Sequence, residues 1–137
     1  MNILVIDAQG GGIGRQLVMA IRKSWPEISI MAVGANTTAT NAMLKAGATR
    51  AATGENAVVV SCRKADIIIG PVGIVIADSM YGEITPAMAK AVAQADAKRI
   101  LIPFNSCENY LAGISDFSTG RLIDDALRHL SELLADA

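Results

Sequence analysis

Basic residues never gather in this chain: twelve lysines and arginines stand against thirteen acids, the formal charge is -1, and no basic tract forms. The electrostatic footprint of a nucleic-acid-binding protein is missing, so no nucleic-acid partner is expected. Cysteine and histidine are scarce as well. Cys62, Cys107 and His129 are too few and too far apart for the usual zinc-ligand spacing, and two thiols do not make a disulfide framework. No metal is expected, and both cysteines are read as reduced. The start, "MNILVID", has no basic segment ahead of a long apolar one. The longest apolar stretch, "IIIGPVGIVIA" from Ile67 to Ala77, is too short and too broken by Gly70, Pro71 and Gly73 to cross a bilayer. A cytoplasmic protein without a membrane partner is the expectation.

Hydrophobic residues are plentiful. They make up 52% of the 137 residues, with charged residues at 18% and aromatics at only 4%, which is ample material for one buried core. So rich a short chain has more apolar surface than one small core consumes, and a homodimer covering the surplus is expected.

The apolar pattern switches between strand-like and helix-like periods. "NILVID", "ISIMAVG", "TRAAT", "ADIIIGP" and "KRILIPF" are short strands, several of them continuously apolar as in a sheet buried on both faces. Between the first two, Ile13, Leu17, Ile21 and Trp25 recur every four residues until Pro26 stops the helix. Asn36 or Thr37 can cap a helix through "TNAMLKAG" that Gly47 ends, and Thr85 followed by Pro86 is a paired helix-start signal. The segment "ENAVVVSCRKA" is divided: its valines favour a strand, but its place between two strands requires a crossover helix, and helix is the expectation. Leu122, Ala126, Leu130 and Leu133, with Ile123, Leu127 and Leu134 beside them, define a last amphipathic helix. Five strands alternating with helices predict one Rossmann-like, doubly wound α/β domain over residues 1–137, with a parallel sheet and helices on both faces.

In such sheets ligands bind beyond the carboxyl ends of the strands, where the strand order reverses. The loops that follow Asp7, Gly34, Gly70 and Pro103 are therefore the ones that matter. The first contains Gly10, Gly11, Gly12 and Gly14 ahead of a helix. Unpaired N–H groups at a helix N-terminus carry partial positive charge, and glycines let a phosphate approach them, so this loop is a candidate anion cradle. The plainer use of such glycines is a tight turn with close helix–strand packing. Asp7, at the root of the loop, is a candidate for metal or ribose binding, or else a brace for the loop's own N–H groups.

No standard fingerprint fits the loop cleanly. The dinucleotide pattern G-x-G-x-x-G meets Arg15 at its third glycine, and the end of the second strand reads Gly34-Ala35-Asn36, with no acid for ribose hydroxyls. A missing carboxylate forfeits a charge-assisted bond of roughly 1.5 to 3 kcal/mol, which disfavours NAD. A short-chain reductase would need a glycine at Ala8 and a Tyr-x-x-x-Lys pair that the chain lacks. Arg15 and Gln16 replace the lysine and magnesium-binding hydroxyl of a P-loop, and Gln9 stands where a cobalamin domain has its histidine. A receiver domain would want a lysine where Pro103, Phe104 and Asn105 stand. The cofactor is left unknown, with a nucleotide or dinucleotide possible.

Two other loops complete the candidate site. "GPVGIVIADSMYGEITP" is a long connection rooted on Gly70, Pro71 and Gly73, with Asp78, Ser79, Tyr81 and Glu83 as its polar content. Its "GIVIA" is apolar enough for an extra strand or a dimer contact, and the loop serves either as a substrate lid or as an oligomerisation flap. "PFNSCENYLAG" brings Asn105, Ser106, Cys107, Asn109 and Tyr110 together, and its amides can read a base or a carbonyl. Cys107 is a candidate nucleophile or a small pocket-lining residue, while Cys62 is expected in the core.

The combination of "MNILVIDAQGGGIGRQL", "GPVGIVIADSMYGEITPAMA" and "KRILIPFNSCENYLAG" resembles a small bacterial Rossmann-like family known only as a domain of unknown function. The resemblance spans nearly the whole chain. It implies a cytoplasmic single-domain α/β protein and brings no catalytic residues with it.

Three functions stay open, and the first is preferred. It is a binding or regulatory module that holds a nucleotide or other phosphorylated metabolite through Asp7, Gly10, Gly11, Gly12, Gly14, Asn36, Gly70, Pro71, Gly73, Asn105 and Asn109. The second is a small enzyme for such a substrate, with Asp7, Asp78 or Glu83 as acid or base and Cys107 in reserve. The third is a ligand-free assembly subunit.

Overall fold

The computed structural model describes residues 1–104 and 109–137. Its elements run β1 (Ile3–Asp7), α1 (Gly12–Ser24), β2 (Ile30–Gly34), α2 (Thr37–Lys45), β3 (Arg50–Thr53), α3 (Glu55–Lys64), β4 (Ile67–Pro71), a 3₁₀ turn (Val72–Val75), α4 (Pro86–Gln94), β5 (Lys98–Ile102) and α5 (Thr119–Ala135). The strands form one parallel sheet in the order β3-β2-β1-β4-β5. The expected doubly wound α/β architecture is the observed one.

The order follows from the sequence pattern. β1 and β4, "ILVID" and "IIIGP", are apolar or small along nearly their whole length and are buried throughout, so they take the centre. The outer strands β3 and β5 begin with exposed Arg50 and Lys98. Alternate side chains of β1 face opposite layers. Ile3 and Val5 pack with Leu17, Val18, Ile21, Met43, Ile123 and Leu130 from α1, α2 and α5. Leu4 and Ile6 pack with Val58, Cys62, Met88 and Val92 from α3 and α4. Each fully buried aliphatic side chain contributes roughly 1.5 to 3 kcal/mol over its exposed state, so burial on both faces holds the two central strands in the sheet. The crossover from β3 to β4 must pass over β2 and β1, which makes "ENAVVVSCRK" a helix despite its valines.

Local signals fix the helix ends. The Asn36 side chain accepts from the Ala39 N–H at 2.8 Å and caps α2. At the other end Gly47 has φ +122°, its N–H donates to the Leu44 carbonyl at 3.1 Å, and Ala48 N–H donates to the Met43 carbonyl at 3.2 Å. That is a Schellman ending, and it needs the glycine. Thr85 accepts from Met88 N–H at 3.1 Å with Pro86 behind it, starting α4. The Arg22 guanidinium, on the last turn of α1, donates to the carbonyls of Pro26 at 2.9 Å, Ile28 at 2.6 Å and Gly47 at 2.9 Å, and to the Thr49 hydroxyl at 3.2 Å. One side chain thereby closes the carboxyl ends of α1 and α2 together.

The stretch "GIVIA" departs from expectation. It is no extra strand: it starts in the 3₁₀ turn, and Ile74 is fully buried beside Ile84 in the α3–α4 layer. Ile74 and Val75 thus serve the core of their own chain. No helix among the described residues is long and apolar enough to cross a membrane.

Candidate functional site

The chain leaves β1 toward β2 and β3 in one direction and leaves β4 toward β5 in the other, so the sheet reverses order between two adjacent strands. In sheets of this class the loops beyond two such carboxyl ends diverge, which makes this edge the place where a ligand crevice is expected. Residues 8–11 bound it on one side and residues 72–85 on the other, with Asn36 beyond the end of β2. The N-termini of α1 to α4 lie along this edge, because each helix follows a parallel strand. Their partial positive charges favour negative groups.

The four glycines of the first loop divide into two pairs. Gly11 has φ +73°, and a Cβ on it would stand 2.8 Å from the Ala39 Cα; a Cβ on Gly14 would stand 2.8 Å from the Asp7 Cβ and 2.6 Å from the Met43 sulfur. Packing and backbone conformation require these two. A Cβ on Gly10 or Gly12 would meet nothing within 4 Å, and neither residue has a left-handed φ. Nothing inside the described chain calls for glycine at those positions.

Asp7 serves as the brace. One carboxylate oxygen accepts from Ala8 N–H at 2.7 Å and the other from Gly14 N–H at 2.6 Å, inside the first turn of α1. Burial pushes its pKa up from the usual carboxylate value; the two N–H donors pull it back in part, and nearby Glu83 adds to the rise. Gly11 N–H donates to the Ala8 carbonyl at 3.0 Å. The N–H groups of Gly10, Gly12 and Ile13 take no hydrogen-bond partner among the described residues, and the N-cap residue Gly11 has no side chain to supply one.

Glu83 joins three loops. Its Oε1 accepts from Gln9 N–H at 2.9 Å and from the Asn36 amide at 2.8 Å, and that same amide donates to the Gln9 carbonyl at 2.9 Å. Asn36 thus spends its oxygen on capping α2 and its nitrogen on the crevice. The end of β2 is itself neutral, as expected, but an acid from another loop stands beside it. The carboxylate arrives from the loop after β4, and local spacing gives no signal for it.

The tip of that loop is strained. Asp78, Met80 and Tyr81 have φ of +68°, +56° and +58°, with Gly82 at +86°. Left-handed conformation costs a non-glycine residue roughly 1 to 2 kcal/mol. Holding contacts offset this: Ser79 Oγ donates to the Gly73 carbonyl at 2.6 Å, and Asp78 N–H donates to the Ile84 carbonyl at 2.7 Å. Tyr81 is 97% exposed, the Asp78 side chain is also exposed, and Gly73 is buried against Ser79 and Met80. At the loop's root Gly70 presses on the Ile6 carbonyl, where a Cβ could not fit, and Pro71 ends β4 in register with Ile102.

A family model described as Domain of unknown function (DUF3842) matches residues 2–135. The chain belongs to that family. No curated protein matches its sequence. Among solved structures it is similar to a dodecameric FMN-dependent Ubix-like decarboxylase from Escherichia coli O157:H7, with 18% identity, a TM-score of 0.45, and coverage of 94% of this chain and 76% of that one.

In this DUF3842 chain the loop after β5 is described only in part. Asn105, Ser106 and Cys107 fall outside the described residues; Asn109 is half-buried and Tyr110 is 88% exposed. Cys62 sits in the core, as expected, and burial pushes its thiol up to about 11. Among the described residues no three His, Cys, Asp or Glu side chains come together to hold a metal ion. A separate concavity of about 690 Å³ lies on the flank of α3, lined by residues such as Met31, Ala52, Asn56, Val60 and Lys64. It runs along β3 from Arg50 to Thr53 and includes none of the glycine-loop residues, so the edge at the order reversal is the better candidate.

Proposed function

We propose that this protein binds a phosphorylated small molecule in the crevice between the β1 and β4 loops, with phosphate oxygens on the N–H groups of Gly10, Gly12 and Ile13. The observation that carries the reading is the pair of glycines at positions 10 and 12. Packing accounts for Gly11 and Gly14, while the other two leave an approach to three N–H groups that have no partner among the described residues at the positive end of α1. An anion there gains charge-assisted bonds from donors that no described residue satisfies.

Thermal-shift and calorimetric titration with inorganic pyrophosphate, nucleoside mono- and diphosphates and sugar phosphates tests the reading. At one hundred times its dissociation constant a ligand should stabilise the fold by about 2.7 kcal/mol. Gly12→Asp has room for its side chain and should fold normally but lose the response, because it sets a carboxylate against the anion. No response from any phosphate compound overturns the proposal, and so does undiminished binding by Gly12→Asp.

A further inference from the structure

We propose that the phosphorylated ligand is a ribonucleotide, and that Glu83 is the acid that accepts hydrogen bonds from its ribose hydroxyls. The inference rests on the phosphate reading above and names the ligand class. In parallel doubly wound sheets the nucleotide's phosphate lies at the start of the first helix, and its ribose reaches an acid at the end of the second strand. Here that strand ends in Gly34 and is followed by Ala35 and Asn36, none of them acidic. The Glu83 carboxylate nevertheless lies 2.8 Å from the Asn36 amide nitrogen and 2.9 Å from the Gln9 main-chain nitrogen. A charge carried by the β4 loop therefore occupies the gap between the carboxyl ends of β1 and β2, next to the root of the glycine loop.

Three details favour a diol over another group. Both hydrogen bonds to Glu83 fall on Oε1, so Oε2 has no partner among the described residues and can accept from a hydroxyl. The two donors pin the carboxylate before any ligand arrives, which lowers the ordering cost of binding. Asn36 is committed at both ends of its amide, to Ala39 N–H and to Glu83 with the Gln9 carbonyl, so it cannot turn its oxygen to the ligand. A carboxylate accepts from hydroxyls and repels phosphate. The site should take a free 2′-hydroxyl and reject both a 2′-deoxy sugar and a 2′-phosphate.

Calorimetric titration compares AMP, GMP, CMP and UMP with their 2′-deoxy forms, and NAD with NADP, using inorganic pyrophosphate as the probe for the phosphate cradle alone. The expected result is a ribonucleotide that binds roughly tenfold to a hundredfold more tightly than its deoxy form, with NAD favoured over NADP. In Glu83→Gln, which keeps an acceptor for Gln9 and Asn36, that ratio should fall toward one while pyrophosphate binding persists. Equal binding of ribo and deoxy forms overturns the inference and leaves the phosphate reading standing, as does a preference that survives Glu83→Gln. Absence of binding by every phosphate, pyrophosphate included, overturns both. If Glu83→Gln does not fold, the comparison of ribo and deoxy forms on the unaltered protein decides.

Discussion

The carboxylate of Glu83 and the amide of Asn36 meet at 2.8 Å, although one side chain comes from the loop after β4 and the other from the loop after β2. The amide's other hydrogen bond, to the Gln9 carbonyl at 2.9 Å, brings in the loop after β1. Three loops from three parallel strands are tied at one point, at the place where the strand order reverses.

The glycine loop should separate into tolerant and intolerant positions. Gly11→Ala combines a left-handed backbone with a contact on the Ala39 main chain, and Gly14→Ala drives a methyl group into the Asp7 and Met43 side chains. Each should cost about 2 kcal/mol or more in urea unfolding. Gly10→Ala and Gly12→Ala should unfold within about 0.5 kcal/mol of the unaltered protein. Equal losses at all four positions would mean that the loop is glycine-rich for packing alone.

Arg22 carries a cross-link between helix ends that is not evident from its place on an amphipathic helix. Arg22→Lys keeps the charge but cannot fork across the Gly47, Pro26 and Ile28 carbonyls, and it should lower stability by roughly 1 to 3 kcal/mol. A denaturation midpoint unchanged by the substitution would show that water replaces these bonds at no cost.

The fold was legible in the sequence wherever the deciding partners lie close along the chain. Asn36 with Ala39, Thr85 with Pro86 and Met88, and Gly47 with Leu44 are local, and each marks its boundary correctly. The valine run of α3 was settled by topology, since no strand could connect β3 to β4 across the sheet. The site was legible only in part. The glycine loop announces itself, but Glu83 meets Gln9 across a separation of 74 residues and Asn36 across 47, which no periodicity encodes. The strand alternative for "GIVIA" failed because a β-like run of aliphatics reports burial, and for Ile74 the 3₁₀ turn supplied that burial by another route.

Asp7 gives the protein a pH dependence of defined sign. Its folded pKa lies above the ordinary value of 3.8, so the folded state holds the proton to higher pH than the unfolded chain. Its contribution is fully present below the unfolded pKa and is lost as pH rises through the folded one. Unfolding free energy measured by urea titration should carry this falling component upward from about pH 4, and Asp7→Asn should remove it. An identical pH profile in Asp7→Asn would assign the slope to other groups.

Tyr81 offers the reverse kind of test. The residue is 97% exposed and sits at φ +58°, so replacing it by glycine removes backbone strain while giving up almost no packing. Tyr81→Gly should raise stability by about 0.5 to 1 kcal/mol, a gain rarely seen on truncating a surface tyrosine. A loss instead would show that the ring makes contacts in solution.

The burial of Ile74 and Ile84 divides the long loop into anchored ends and a free span. Both isoleucines are pegged in the α3–α4 layer, so the segment between them, including the tip at Asp78–Gly82, is fastened to the sheet like a replaceable handle. Among the described residues of that span it is Glu83, next to the second peg, that bonds to the β1 and β2 loops, so sequence changes confined to the exposed tip leave that junction untouched.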